Sequence, residues 1–127
     1  MSTDVSDYVT LVEILELTRP YDEVAPLIEA TVRRLETEGV RALLSMQFYT
    51  NDEKTELGAV ITFATAAELL THVKMISGWE EFRRFSSMIK VVDMRVHGRL
   101  TAEVEAWIRK FNGPLKKLEH PVAGFVR

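Results

Sequence analysis

The sequence predicts an α+β fold, and three observations carry that prediction. Short runs crowded with apolar residues alternate with longer stretches of helical spacing. Gly, Pro and clusters of polar residues fall between them, where turns are needed. The order of the runs, strand–helix–strand–strand–helix–strand, states one split unit twice. A chain of 127 residues suits one domain (1–127), with a core over 8–100 and a C-terminal helix and arm over 101–127.

The first strand is expected over 8–17, where Val9, Leu11, Val12, Ile14, Leu15 and Leu17 crowd a short span. Pro20 stops it, because proline cannot donate to a sheet ladder. A helix follows, with Asp22 as the expected N-cap and Pro26 near its first turn. Its face is Val24, Leu27, Ile28, Thr31, Val32 and Leu35. Gly39 sits where a left-handed C-terminal residue belongs. Residues 40–49 form a second strand, with Val40, Ala42, Leu44, Met46 and Phe48 on one face. Arg41, Leu43, Ser45, Gln47 and Tyr49 take the other. Thr50–Lys54 is a polar turn, and a third strand spans 57–63.

Thr65 and Glu68 form a capping-box pattern that opens a second helix. Leu69, Leu70, Val73 and Ile76 are its apolar stripe. Ser77-Gly78 interrupts the helix, which bends or restarts there. Trp79, Phe82, Phe85 and Ile89 continue the apolar face. The fourth strand is expected over 91–99, with Val92, Met94 and Val96 opposite Val91, Asp93, Arg95, His97 and Arg99. This is the ferredoxin-like βαββαβ order, a four-stranded antiparallel sheet with both helices on one side. Thr101 caps a third helix with inner face Val104, Trp107, Ile108 and Phe111, ended by Asn112-Gly113-Pro114. Residues 121–126 form a final strand or an arm.

Two helices cover only one face of such a sheet. The other face still carries Leu43, Val60 and Val91, and large bare apolar patches are rare on monomers. Two accounts meet that demand. Face-to-face pairing of sheets in a homodimer is the expected one. In the other, the third helix and the arm cover the face within one chain.

Composition narrows the function classes. The chain has no cysteine, which removes disulfides, thiolate nucleophiles and iron–sulfur sites. The polar N-terminus is not a signal peptide, and no apolar run approaches a membrane span of about 20 residues. A cytoplasmic location without membrane attachment is expected. Net charge is −3 and the basic clusters are short, which argues against a nucleic-acid partner. No phosphate loop or serine elbow is present. His72, His97 and His120 lack metal-ligand spacing, so no metal and no cofactor are expected.

One stretch carries a family likeness: Gly58-Ala59-Val60-Ile61-Thr62-Phe63, then Ala66-Ala67-Glu68-Leu69-Leu70-Thr71-His72, then Ser77, Trp79 and Phe82. With the element order over 8–100, it resembles the dimeric α+β barrel superfamily, and within it the antibiotic-biosynthesis monooxygenase-like group. That superfamily includes cofactor-independent quinone-forming monooxygenases, haem-degrading enzymes, small isomerases, ligand-sensing domains and uncharacterised members, so the resemblance leaves function open. It implies a pocket between sheet and helices, with His72 and Trp79 at the matching catalytic positions. The haem-degrading type also uses an asparagine on the first strand, and none lies between Tyr8 and Leu17.

The residues themselves leave alternatives. His72 lies at helical spacing from Leu69 and Ile76, so it faces a ligand or packs as a structural histidine. Trp79 lines a pocket or anchors the core after Gly78. Ser45, Gln47, Tyr49, Asp93, Arg95 and His97 are candidate ligand-binding residues if the mixed faces line a cavity; otherwise Asp93 and Arg95 pair with each other or with solvent. Of Glu13 and Glu16, one must point inward. Three functions therefore compete: a monooxygenase-like enzyme for a small apolar or aromatic molecule, a non-catalytic ligand-binding or structural homodimer, and a subunit that docks through its C-terminal extension.

Overall fold

Burial alternates along Glu56–Phe63: Leu57, Ala59, Ile61 and Phe63 are buried and the residues between them are partly exposed. A strand with that pattern has one covered face and one open face. In the computed structural model, which describes residues 5–127, a 3-10 turn at Val5–Asp7 leads into β1 (Val9–Leu17). There follow α1 (Tyr21–Glu38), β2 (Leu43–Thr50), β3 (Glu56–Phe63), α2 (Ala66–Ile76) and α3 (Glu80–Ser86). Then come β4 (Ile89–His97), α4 (Ala102–Arg109) and β5 (Leu115–Leu118).

The sheet order is β2-β3-β1-β4-β5. The first four strands are antiparallel and in ferredoxin-like order, but β5 joins β4 in parallel. The expected four-stranded antiparallel sheet is therefore a five-stranded mixed one. Asn112, at positive φ (58°), and Gly113 turn the chain from α4 into β5. A Cβ on Gly113 would come within 2.5 Å of Val91 Cγ1, so that turn sits directly on β4. The segment expected as a final strand has no strand; Val122 and Phe125 are exposed.

Cross-strand pairs place residues on one face or the other. Met46, Ile61, Leu11 and Val96 form one row facing the helices; Phe48, Ala59, Glu13 and Met94 form the next. Two bulges adjust the alternation expected from sequence. Leu44 is the extra residue between Leu43 and Ser45, which turns Leu43 toward the core and leaves Leu44 exposed. Val92 is the extra residue between Val91 and Asp93, which buries Val91 and exposes Val92. A bulged residue shifts parity by one, so each apolar residue changes face.

Local chemistry explains the helices. Thr65 Oγ1 accepts from the Glu68 N–H (3.2 Å), and Thr101 Oγ1 accepts from the Val104 N–H (3.2 Å). The helix broken at Ser77-Gly78 restarts as α3, with Trp79 as its N-terminal flanking residue. Pro20, not Asp22, flanks the start of α1, and Asp22 lies in its first turn. Gly39 has extended rather than left-handed backbone (φ −71°). Glycine is needed there because a Cβ would press on the Leu35 carbonyl. The fully buried Val24, Phe63, Leu69, Val96 and Val104 come from α1, β3, α2, β4 and α4, so all three of those helices lie on the same sheet face.

Gly98, just after β4, has φ +116°, and a Cβ would lie 2.5 Å from the Tyr8 carbonyl oxygen. Its N–H donates to the Leu118 carbonyl (2.9 Å), closing β5 onto β4. Gly98→Ala is expected to cost at least about 1–3 kcal/mol, the usual cost of such backbone strain. Urea unfolding measures it, and an unchanged midpoint would count against the tight turn.

Candidate functional site

The helix-facing side of β1 carries Leu11, Glu13 and Leu15 at alternate positions, so the centre of an apolar wall holds a carboxylate. Opposite it, α2 presents His72, which is 5% exposed. The imidazole meets the Phe63 ring edge-on, with centroids 4.9 Å apart. Ser86 closes the C-terminal end of α3, and its Oγ is buried. Glu13, His72 and Ser86 line one cavity of about 100 Å³ between the sheet and the helices. The rest of its wall is almost wholly apolar, with Phe48, Phe82, Phe85, Trp107 and Phe111 among the aromatic members.

Electrostatics follow from that wall. Glu13 remains partly accessible, but the space it reaches is the cavity. Burial pushes its carboxyl up to about 7. Burial pushes the His72 imidazole down to about 4, so His72 is neutral at neutral pH. Both shifts have one cause: apolar surroundings disfavour the charged form of each group. His72 Nδ1 and Ser86 Oγ have no hydrogen-bond partner among the described residues. Buried polar atoms are nearly always paired, so these two are exceptions, one on each of two helices beside the cavity.

Trp79 lies outside that wall. It packs with Leu35 and Ile76, and the Arg34 guanidinium lies 3.9 Å from its ring centroid. Arg34 also donates to both Glu81 carboxylate oxygens at 2.9 and 3.1 Å, tying α3 to α1. Ser45, Gln47, Tyr49, Asp93, Arg95 and His97 are brought together, but on the open face. They form rows across the sheet: Ser45–Thr62–Thr10–His97, Gln47–Val60–Val12–Arg95 and Tyr49–Gly58–Ile14–Asp93. Asp93 and Arg95 pair at 3.2 Å. Among the described residues no group of His, Asp or Glu is gathered as for a metal ion. No helix there is long and apolar enough to cross a membrane.

Sequence reasoning marked His72 and required one glutamate of β1 to point inward, but did not name Glu13 as a site residue. The signal was its even spacing from Leu11 and Leu15. Ser86 was missed. No spacing rule separates it from Ser87, whose Oγ donates to the Arg84 carbonyl at 2.6 Å.

Proton counts fix the pH response of this pair. Glu13 is raised from 4.5 to about 7, so its contribution to stability is full below 4.5 and is lost as pH rises toward 7. His72 is lowered from 6.5 to about 4, so its contribution is full above 6.5 and is lost as pH falls toward 4. Between 4.5 and 6.5 folded and unfolded chains each hold one proton on the pair, so the slopes cancel. Glu13→Gln unmasks His72: stability should fall by about 3 kcal/mol as pH drops across the His72 window. His72→Gln should instead lose about as much as pH rises across the Glu13 window. Urea unfolding at stepped pH reads both, and flat profiles for both variants would contradict the desolvation of these groups.

No protein-family model matches the chain, and no curated protein matches it. Solved structures do. MupZ from Pseudomonas fluorescens aligns with TM-score 0.67 at 16% identity, over 98% of this chain and 94% of that one. SnoaB, a cofactor-independent oxygenase from Streptomyces nogalater, aligns with TM-score 0.62 at 9% identity, over 76% of this chain and 97% of its own. A candidate antibiotic biosynthesis monooxygenase from Chloroflexus aurantiacus aligns with TM-score 0.58 at 10% identity, over 94% and 97%. At such identities the likeness speaks for architecture, not activity. The chain shares its fold with these proteins, a cofactor-independent oxygenase and a candidate antibiotic biosynthesis monooxygenase among them.

Proposed function

We propose that this chain is a cytoplasmic, single-domain, monooxygenase-like oxidoreductase that needs no cofactor and acts on a small apolar or aromatic molecule. The observation that supports this most is the cavity itself, where a carboxyl poised near neutrality (about 7) and a neutral, unpartnered imidazole share an apolar chamber. A general base works best when its pKa lies near the operating pH. SnoaB, of the same fold, is a cofactor-independent oxygenase.

Without a cofactor the substrate must itself give an electron to oxygen, as an ionised phenol does. Glu13 takes the proton of the substrate hydroxyl. His72 fixes that hydroxyl with a hydrogen bond. The phenolate passes one electron to O₂, and the phenoxyl radical and superoxide join at a ring carbon. Glu13 returns its proton to the peroxide, and loss of water leaves a quinone. The overall change is one phenol plus one O₂ to one quinone plus one water. Trp79 acts through position: with Arg34 it holds α3, which carries Phe82, Phe85 and Ser86 into the wall.

The working unit in this reading is a homodimer. Val12, Ile14 and Val60 lie in the centre of the open face, with Leu44 and Val92 exposed beside it. Because α4 packs on the helical side, no described helix covers that face. Pairing two such faces would place Ser45, Gln47, Tyr49, Asp93, Arg95 and His97 between the sheets, where any ligand they bind is separate from the one in the cavity.

Native mass spectrometry should show a species near twice 14.5 kDa; a monomer at micromolar concentration would rule out the pairing. Glu13→Gln should lower oxygen uptake with a phenolic substrate by roughly 10²-fold or more, the usual share of a positioned base. Full binding with no turnover in the unaltered protein would leave a non-catalytic binding dimer.

A further inference from the structure

An apolar cavity of ~150 Å³ holds one benzene; the cavity of this chain measures about 100 Å³. An aromatic molecule therefore enters only if part of the wall moves, and the wall is not held equally firmly all round. Helices α1, α2 and α4 each bury two or more residues. Helix α3 is seven residues long and buries none. It lies against α1 and β4. Elements with few buried contacts are the ones that open most readily.

The inner side of α3 touches the cavity and little else. Phe82, Phe85 and Ser86 line it. Phe82 stacks on Trp107 (5.7 Å) and Phe85 meets Phe48 edge-on (6.1 Å), and both partners are lining residues too. Ser86 Oγ is buried without a partner, so it does not tie the end of the helix to the wall. The outer hold is one side chain of α1. Arg34 donates to both Glu81 carboxylate oxygens (2.9 and 3.1 Å), and its guanidinium lies 3.9 Å from the Trp79 ring centroid. Trp79 precedes α3 and Glu81 is its second residue, so one arginine grips the start of the helix. Immediately before that grip are Ser77 and Gly78, both exposed. Gly78 has no positive φ, and a Cβ there would meet the Met75 carbonyl oxygen at 3.6 Å, an ordinary contact.

Resting on the cavity reading above, we infer that α3 is a lid over the cavity, that it swings on the Ser77-Gly78 break, and that Arg34 is its latch. Closed, Phe82 and Phe85 complete the aromatic wall. Open, they withdraw with α3, and a ring-sized guest enters where the helix stood. Arg34 is a positioning residue: it touches no guest and sets how often the wall opens.

The chain has no cysteine, so a single introduced thiol reports access. Ser86→Cys puts a thiol in the closed wall and breaks no side-chain hydrogen bond. Val96→Cys, on β4, fully buried and outside the cavity lining, reports global unfolding. Each is reacted with dithionitrobenzoate under conditions where closing outpaces labelling, so the rate follows the open fraction. Ser86→Cys should label roughly tenfold faster than Val96→Cys or more, because it needs only local opening. Adding Arg34→Gln should speed Ser86→Cys labelling roughly three- to thirtyfold, the combined range of an exposed ion pair and a cation–π contact. Adding Gly78→Ala should slow it roughly two- to fivefold, the usual effect of removing a glycine's freedom where alanine fits. Equal rates for Ser86→Cys and Val96→Cys overturn the lid. A Ser86→Cys rate unmoved by Arg34→Gln overturns the latch, and one unmoved by Gly78→Ala overturns the hinge; fraying of the last turn of α3 would leave both unmoved. Should Arg34→Gln unfold the chain, so that both thiols label alike, Gly78→Ala decides alone. These reactions contain no substrate, which separates the two readings. Local labelling with no oxygen uptake from any phenol overturns the oxygenase reading and keeps the lid. Oxygen uptake with a thiol at 86 that labels only on global unfolding keeps the oxygenase and overturns the lid.

Discussion

The side-chain alternation of β1 governs the molecule. This strand lies at the centre of the antiparallel part of the sheet, hydrogen-bonded to β3 on one side and β4 on the other. Once Val9, Leu11 and Leu15 are committed to the helices, Glu13 is committed with them, because a strand offers only two faces. The chain cannot turn this carboxylate to solvent without turning the core out. It accommodates Glu13 by leaving space before it and by keeping it largely uncharged at mildly acid pH. The cavity, the neutral His72 and the aromatic lining are the surroundings that such a placement requires.

Opposite tendencies meet in that space. A carboxyl that resists ionising and an imidazole that resists protonation share a wall, so the chamber is close to neutral. A neutral chamber admits an uncharged guest without stripping water from ions. Ionic contacts sit elsewhere, on the outside: Arg19 with Glu23, Arg109 and Lys117 with Glu105, Arg34 with Glu81. Surface pairs of this kind contribute little to stability, but the one at Arg34 joins α1 to α3 over the Trp79 ring and so bears on the shape of the wall.

Strand and helix order, the Thr65 and Thr101 caps and the break at Ser77-Gly78 were legible because each is local. Caps and glycine interruptions act within a few residues. What was not legible depended on partners distant in sequence. The bulges at Leu44 and Val92 are settled by the register against β3 and β1, and nothing in Leu43-Leu44 or Val91-Val92 says which residue of each pair faces inward. The parallel strand β5 is four residues with two lysines, too short and too charged to show a period of its own. It forms because α4 and the Asn112-Gly113 turn deliver it to β4. In the site, His72 was visible from its helical spacing. The six polar residues of β2 and β4 share one face, and it is the one away from the cavity.

β5 has a consequence at the level of many molecules. The outer rim of a sheet is a template on which foreign strands can grow, and long, flat, apolar rims seed fibrils. Here the rim next to β4 is a strand of four residues carrying Lys116 and Lys117. Lys117 is drawn inward to Glu105 at 2.7 Å, while Lys116 shares the open-face row with Arg95. An approaching strand finds a rim only four residues long, with the Lys116 charge on its open side. The parallel addition therefore ends the sheet on that side.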